Sequence, residues 1–243
     1  MKKWQRNFFI LISLLIAWQI TVSLGHLPAF ILPGPRLTFM SWWQNSALII
    51  SATGITLFET LAGLLLGIII GCFSALVLIY FKPLRLWLLP LLILSQALPT
   101  FAIAPLLVVW FGYGVMAKII TTIIMLFFPI TSAFLDGLRQ TPNAWLELAQ
   151  TMNATKWRLL WQIQVPAALP SLASGLRLAA TIAPMGAIVG EWVGASNGLG
   201  FLLLNSNARM QIDLMFACLF TLIAMALLLY FVMDRLLRSW IRW

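Results

Sequence analysis

The hydropathy pattern constrains this chain more than any other feature. Six largely apolar stretches, separated by short polar or Pro/Gly-bearing turns, are candidates to cross a bilayer. They lie at about Phe8–Leu24, within Ser46–Phe81, and at about Leu86–Phe111, Val115–Leu135, Ala167–Val189 and Leu214–Met233. A hydrocarbon core ~30 Å thick takes about 20 apolar residues of helix to cross. Lipid offers the backbone no hydrogen-bond partners, so each stretch is expected to be helical. With 62% hydrophobic and 9% charged residues, a chain of 243 residues cannot hide its apolar surface in a soluble core. The expected fold class is an all-α integral membrane protein of about six transmembrane helices, with 1–243 as one membrane domain.

The basic head before the first apolar stretch resembles a secretory leader. The apolar run is long, however, and bulky residues stand where a small-residue cleavage site should lie, so a first transmembrane helix is expected. Cys72 and Cys218 both fall inside apolar runs and read as packing residues rather than a disulfide or a metal pair.

In a soluble protein the net charge of +9 would point to nucleic acid. Here its distribution matters more, and no nucleic-acid partner is expected. With the N-terminus inside, the cytoplasmic segments carry eleven basic residues: Lys2, Lys3, Arg6, Lys82, Arg85, Arg139, Lys156, Arg158, Arg235, Arg238 and Arg242. The outer segments carry three, Arg36, Lys118 and Arg209, and Arg177 falls within the fifth span. That asymmetry places both termini in the cytoplasm.

Several spans carry more than hydrophobicity. Gly63, Gly67 and Gly71 recur at four-residue spacing in the second span, a ridge on which another helix can pack closely. The third span contains Pro90, Pro99 and Pro105 with Ser95 and Gln96. Prolines free backbone carbonyls, which membranes tolerate only where they are buried in protein or face a cavity. Gln96 and Pro99 are therefore candidate pathway residues, with helix kinks needed only for packing as the equal alternative. Arg177 and Glu59 cost most if they face lipid, about 2.5–3.5 kcal/mol for an Arg near a helix centre. Arg177 suits either a gate or an internal ion pair. Glu191 opens a glycine-bearing loop or re-entrant segment reaching Arg209, and either it or Glu59 could face an external partner or a structural Arg. Asp136 and Asp234 read as solvated.

The one long polar interruption of the second half is Thr141–Pro170. Thr141 is an N-cap candidate, with Pro142 at the first helical position. Asn153 tolerates the left-handed turn that would break this helix. Trp157, Leu160, Trp161 and Gln164 then recur at helical spacing until Pro166 closes the piece. The charge asymmetry puts this double helix in the cytoplasm, as a docking surface for another protein.

Within it, Glu147-Leu148-Ala149, then Asn153, then Ile163-Gln164-Val165-Pro166 resembles the EAA signature of permease subunits in bacterial ABC importers. That signature is Glu-Ala-Ala, three residues, Gly, nine residues, then Ile-x-Leu-Pro. Leu148, Asn153 and Val165 depart from it in residue type but not in spacing. Leu98-Pro99, Trp110–Gly114, Phe128-Pro129-Ile130, Pro166–Pro170, Gly175-Leu176-Arg177, and Glu191 with Gly198-Leu199-Gly200 resemble the subfamily importing nitrate, sulfonates, taurine and the pyrimidine precursor of thiamine. General likeness favours the thiamine-precursor branch, a hydroxymethylpyrimidine. In that subfamily the position of Glu59 commonly looks basic, so an acid there hints at a less anionic cargo.

The resemblance implies a type I importer permease in the bacterial cytoplasmic membrane. It would be a homodimer with two copies of a cytoplasmic ATP-binding subunit and one external binding protein. Glu147, Ala149, Asn153, Trp157, Trp161 and Pro166 would form the ATPase-docking surface, with an interfacial aromatic belt as the lesser alternative for the two tryptophans. ATP and Mg would be bound by that partner, and this chain would hold no cofactor of its own. The sequence carries no phosphate loop, no His/Cys metal cluster and no credible nucleophile–base pair. An ion-driven secondary transporter would need an internal repeat and deep coupling carboxylates; no repeat is clear, and only Glu59 is a candidate. A non-transporting scaffold would have little use for the proline-rich third span.

Overall fold

The structure, a computed structural model, describes residues 3–26, 28–97 and 99–241. The described residues fold into helices joined by short turns. In chain order these are α1 (Lys3–Leu24), α2 (Pro35–Gln44), α3 (Ser46–Tyr80), α4 (Lys82–Ala97), α5 (Thr100–Phe111), α6 (Val115–Arg139), α7 (Asn143–Thr151), α8 (Lys156–Leu159), α9 (Val165–Gly194), α10 (Leu199–Ala208) and α11 (Ile212–Trp240).

Among the described residues, four helices are long and apolar enough to cross a membrane: Ser46–Tyr80, Val115–Arg139, Lys156–Gly194 and Ile212–Trp240. α3, at 35 residues, runs unbroken for about 50 Å at 1.5 Å per residue, which is more than one crossing needs. The expected third span is instead two shorter helices, α4 and α5. Pro99 stands at the head of α5 with φ −62° and ψ 118°. Its ring crowds the carbonyl four residues back and it has no N–H to donate, which favours a helix break there. Leu98 and the side chain of Gln96 lie outside the described residues.

The segment 191–209, expected to be a loop or re-entrant piece, is largely helical. α9 continues through Glu191 to Gly194, and α10 follows a short turn. Pro166 does not close the second piece of the polar interruption either. A single π-helical turn, Leu160–Gln164, joins α8 to α9, and Pro166 sits in the first turn of α9. The wider turn gives the proline ring room against the carbonyl of Gln162, where a regular α-helix would clash.

α6 is the central helix, packed along most of its length between α3 and α9. Close approach of backbones makes this arrangement possible. A Cβ built on Gly63 would lie 2.5 Å from the Thr122 side chain, and one on Gly71 2.8 Å from Ile130. α9 presents a second ridge of small residues to α6, in which Cβ atoms on Gly186 and Gly190 would lie 2.8 Å and 2.7 Å from the Cα atoms of Thr122 and Lys118. In lipid, such small-residue contacts replace the hydrophobic effect as the source of helix association. The opposite face of α3 is exposed at Leu65, Ile69 and Phe73, as a lipid-facing stripe should be. α11 covers α9, and Trp42 of α2 is tied to it by a hydrogen bond from Nε1 to Thr221 Oγ1 of 3.1 Å.

This packing predicts the effect of a single methyl group. Gly63→Ala should lower the melting temperature in detergent, because Thr122 Cβ is fixed to the α6 backbone and the helices must part. Overpacking of this kind costs about 1–3 kcal/mol. Gly54, on the same helix with open space at its Cβ position, should accept Ala without loss. Equal melting temperatures for the two variants would contradict the close α3–α6 contact.

Candidate functional site

Two regions at opposite ends of the bundle hold groups that packing alone does not require. The first lies between α6 and α9. The Thr141 hydroxyl donates back to the carbonyl of Leu138, 3.1 Å away, and so helps to end α6. It therefore does not cap the next helix as its position suggested; Pro142 occupies the cap position of α7, with φ −56° and ψ 132°. Asn153 takes φ 56°, the left-handed conformation that asparagine accepts more readily than most residues. Its N–H donates to the Gln150 carbonyl and that of Ala154 to the Ala149 carbonyl, which turns the chain sharply. Thr155 then caps α8, its hydroxyl accepting from the Arg158 N–H.

The turn folds α7 back beside the π-helical segment. Between them runs an apolar groove of about 520 Å³, lined by Trp145, Leu148, Ala149, Met152, Ile163 and Pro166 among others. Leu148 is 63% exposed and Met152 75%, so this surface offers apolar area with nothing of its own chain to cover it. Glu147 stands exposed on the same helix, whereas Ala149 is buried. Trp157 and Trp161 pack on each other with ring centroids 5.5 Å apart, and Trp157 also meets Tyr80 edge-on at 6.5 Å. Of the residues expected to dock a partner, Ala149 and Pro166 line the groove, Glu147 is an exposed acid, and Trp157 and Trp161 form an aromatic pair.

Of the residues expected to line a pathway, Arg177 and Glu191 lie far apart on α9. Pro99 is exposed at the start of α5. Arg177 is held in an ion pair, Nε to Asp234 Oδ1 at 2.7 Å, and the other Asp234 oxygen accepts from Arg238 Nε at 2.8 Å. Of its two readings, the internal ion pair is the one this structure contains. Asp234, expected to be solvated, instead joins α9 to α11 through that pair. Glu191 lies about 20 Å from Arg177 along α9, at 1.5 Å per residue, in the second region.

That second region is a buried polar cluster at the end of the bundle away from α7. Glu59, fully buried on α3, accepts from Lys118 Nζ of α6 at 2.5 Å. Lys118 therefore does not belong to an exposed outer segment; it lies in the first turns of α6 and is 5% exposed. Beside this pair, Thr56 Oγ1 donates to Glu191 Oε1 and Gly200 N–H donates to Glu191 Oε2, while Leu199 N–H donates to the Thr56 hydroxyl. Glu191 and Thr56 together satisfy the first free N–H groups of α10, where a carboxylate also suits the positive end of the helix dipole. The glycines beside it have a definite use. Gly198 has φ 115°, and a Cβ there would overlap the Glu191 carboxyl. A Cβ on Gly200 would come within 2.8 Å of Glu191 Oε2. Lys118 is the member that reading the sequence missed. Two carboxylates in apolar surroundings require a nearby cation, and a lysine just inside an apolar run is the available one.

Residues 63–242 match the family described as "Binding-protein-dependent transport system inner membrane component". The chain belongs to that family. The permease is 50% identical over 228 residues to a "Probable ABC transporter permease protein" of Haemophilus influenzae, covering 94% of this chain and 93% of that one. It is 37% identical over 195 residues to the "Formylaminopyrimidine transport permease protein" of Halalkalibacterium halodurans, covering 80% and 77%. Its fold matches a chain from inward-facing conformations of the MetNI methionine ABC transporter, with a TM-score of 0.70, 21% identity, and coverage of 81% of the permease and 97% of that chain. The permease is thus the membrane-spanning type of subunit, of a kind that works with ATPase subunits and binding proteins.

Proposed function

We propose that this permease forms a homodimer in the bacterial cytoplasmic membrane. Two copies of an ATP-binding subunit, carrying ATP and Mg, dock on its α7–α8 surfaces, and one external binding protein delivers cargo to its outer face. The cargo is a pyrimidine precursor of thiamine, such as a hydroxymethylpyrimidine. The observation that carries this reading is the 37% identity, over 80% of the chain, to a permease named for a formylaminopyrimidine. The acidic Glu59 at the outer end agrees with it, since a buried carboxylate disfavours a sulfonate or nitrate close by. ATP-driven approach of the two ATPases moves the docked segments as rigid bodies and tips the helices between inward and outward access.

The test is ATP-driven uptake into proteoliposomes holding the permease, its ATPase and its binding protein. Labelled hydroxymethylpyrimidine should accumulate and taurine should not. Preference for taurine or another sulfonate would overturn the cargo assignment while leaving the importer architecture in place.

A further inference from the structure

We infer that the Glu59–Lys118 pair is a cargo-recognition site within the outer half of the permease, built for an amino-substituted nitrogen heterocycle. This deepens the proposed function and rests on its cargo class.

The pair lines a cleft of about 610 Å³, together with Ile55, Tyr113, Ser196 and Asn197. That volume is ample for a single substituted pyrimidine ring. Two buried groups at its inner wall have hydrogen-bonding capacity left over. Glu59 uses Oε1 for Lys118, while its Oε2, also buried, has no donor and neighbours the Glu191 carboxyl, so a donor entering there would relieve both acids. Lys118 carries three ammonium protons, and the contact with Glu59 uses one. Each oxygen of Glu191, by contrast, already has a donor, Thr56 for Oε1 and Gly200 for Oε2. A buried acceptor left without a donor costs about 1–3 kcal/mol, so a site holding one gains from any ligand that supplies the donor.

The geometry therefore offers an acceptor and a donor side by side. An aminopyrimidine edge has the complement: an exocyclic amine that donates to Glu59 Oε2, and a neighbouring ring nitrogen that accepts from Lys118 Nζ. The rim adds Tyr113, 85% exposed, on which a flat ring can stack. A sulfonate would satisfy Lys118 alone and would meet the charges of Glu59 and Glu191. In this conformation the pair is nearly covered. It opens to cargo when α3 and α6 separate at their outer ends during the transport cycle, and the cargo edge then offsets the loss of burial.

The experiment uses the complete importer in proteoliposomes with labelled hydroxymethylpyrimidine carrying an amino group. Glu59→Gln, which replaces part of the acceptor surface with a donor, should lower uptake at least about tenfold, equivalent to roughly 1.4 kcal/mol. Ser196→Trp fills the cleft from its exposed rim without touching the ion pair. It should lower uptake comparably while the melting temperature in detergent stays at the wild-type value. Wild-type uptake rates in Ser196→Trp would overturn the recognition site and leave the cargo assignment standing. Uptake of taurine but not of the pyrimidine by the unmodified importer would overturn both.

Discussion

Glu147→Arg is expected to strip the ATP-binding subunit from the permease during affinity purification, and deletion of Glu147–Arg158 to do so completely. Glu147 is exposed on α7, so its replacement leaves the packing of the bundle untouched. Its neighbours Trp145, Leu148 and Met152 expose apolar area around the groove that ends at Pro166. An interface seated there would place Glu147 at its edge with apolar anchors beside it. Reversing a charge that a partner surface complements sets like charges against each other there, at a cost of about 2 kcal/mol, roughly a 30-fold loss of affinity. Transport should fall in step, since in the proposed function the motion of the ATPases enters the membrane helices through this segment. The measurement is ATPase recovered per permease on the affinity resin. Wild-type recovery after the deletion would remove docking from this surface altogether.

Lys118→Met should be among the most destabilising single substitutions in the chain. It leaves the Glu59 carboxylate buried without its cation, beside a second buried acid. Breaking a buried ion pair from one side costs about 3–5 kcal/mol, whereas replacing both partners by apolar groups is often close to neutral. The double variant Glu59→Leu/Lys118→Met should therefore regain most of the lost melting temperature. It should not regain uptake, since the recognising acceptor and donor are both gone. A single variant as stable as the double would show that the pair contributes nothing to folding. Taken with the milder Gly63→Ala, this separates two sources of stability in the α3–α6 contact: close packing of small residues and one buried charge pair.

The sharp turn at Asn153 could be read directly along the chain. It stands at a position fixed by local backbone geometry, and local geometry depends on near neighbours in sequence. The glycine ridge of α3 was legible for the same reason, as a four-residue spacing places its members on one face of a helix. The matching ridge of α9 was less visible because alanines and prolines intermingle with Gly175, Gly186 and Gly190. Readings failed where a residue's role depends on a distant partner. Asp234 was expected to be solvated, and the Arg177 that pairs with it lies 57 residues away in sequence. Pro166 was expected to end a helix, yet one π-helical turn before it let the helix run on into α9.

What the sequence determined by itself is the class of the molecule, with an expected orientation. Lipid leaves long apolar segments no state but helix, and the basic residues distribute unevenly about them. It also determined the α7–α8 turn, through asparagine at the one left-handed position. Only the tertiary structure decided which charges meet. Glu59, Lys118 and Glu191 come from three helices that are neighbours because small residues let their backbones approach. A buried charge is tolerable only where that approach brings its counterpart within reach.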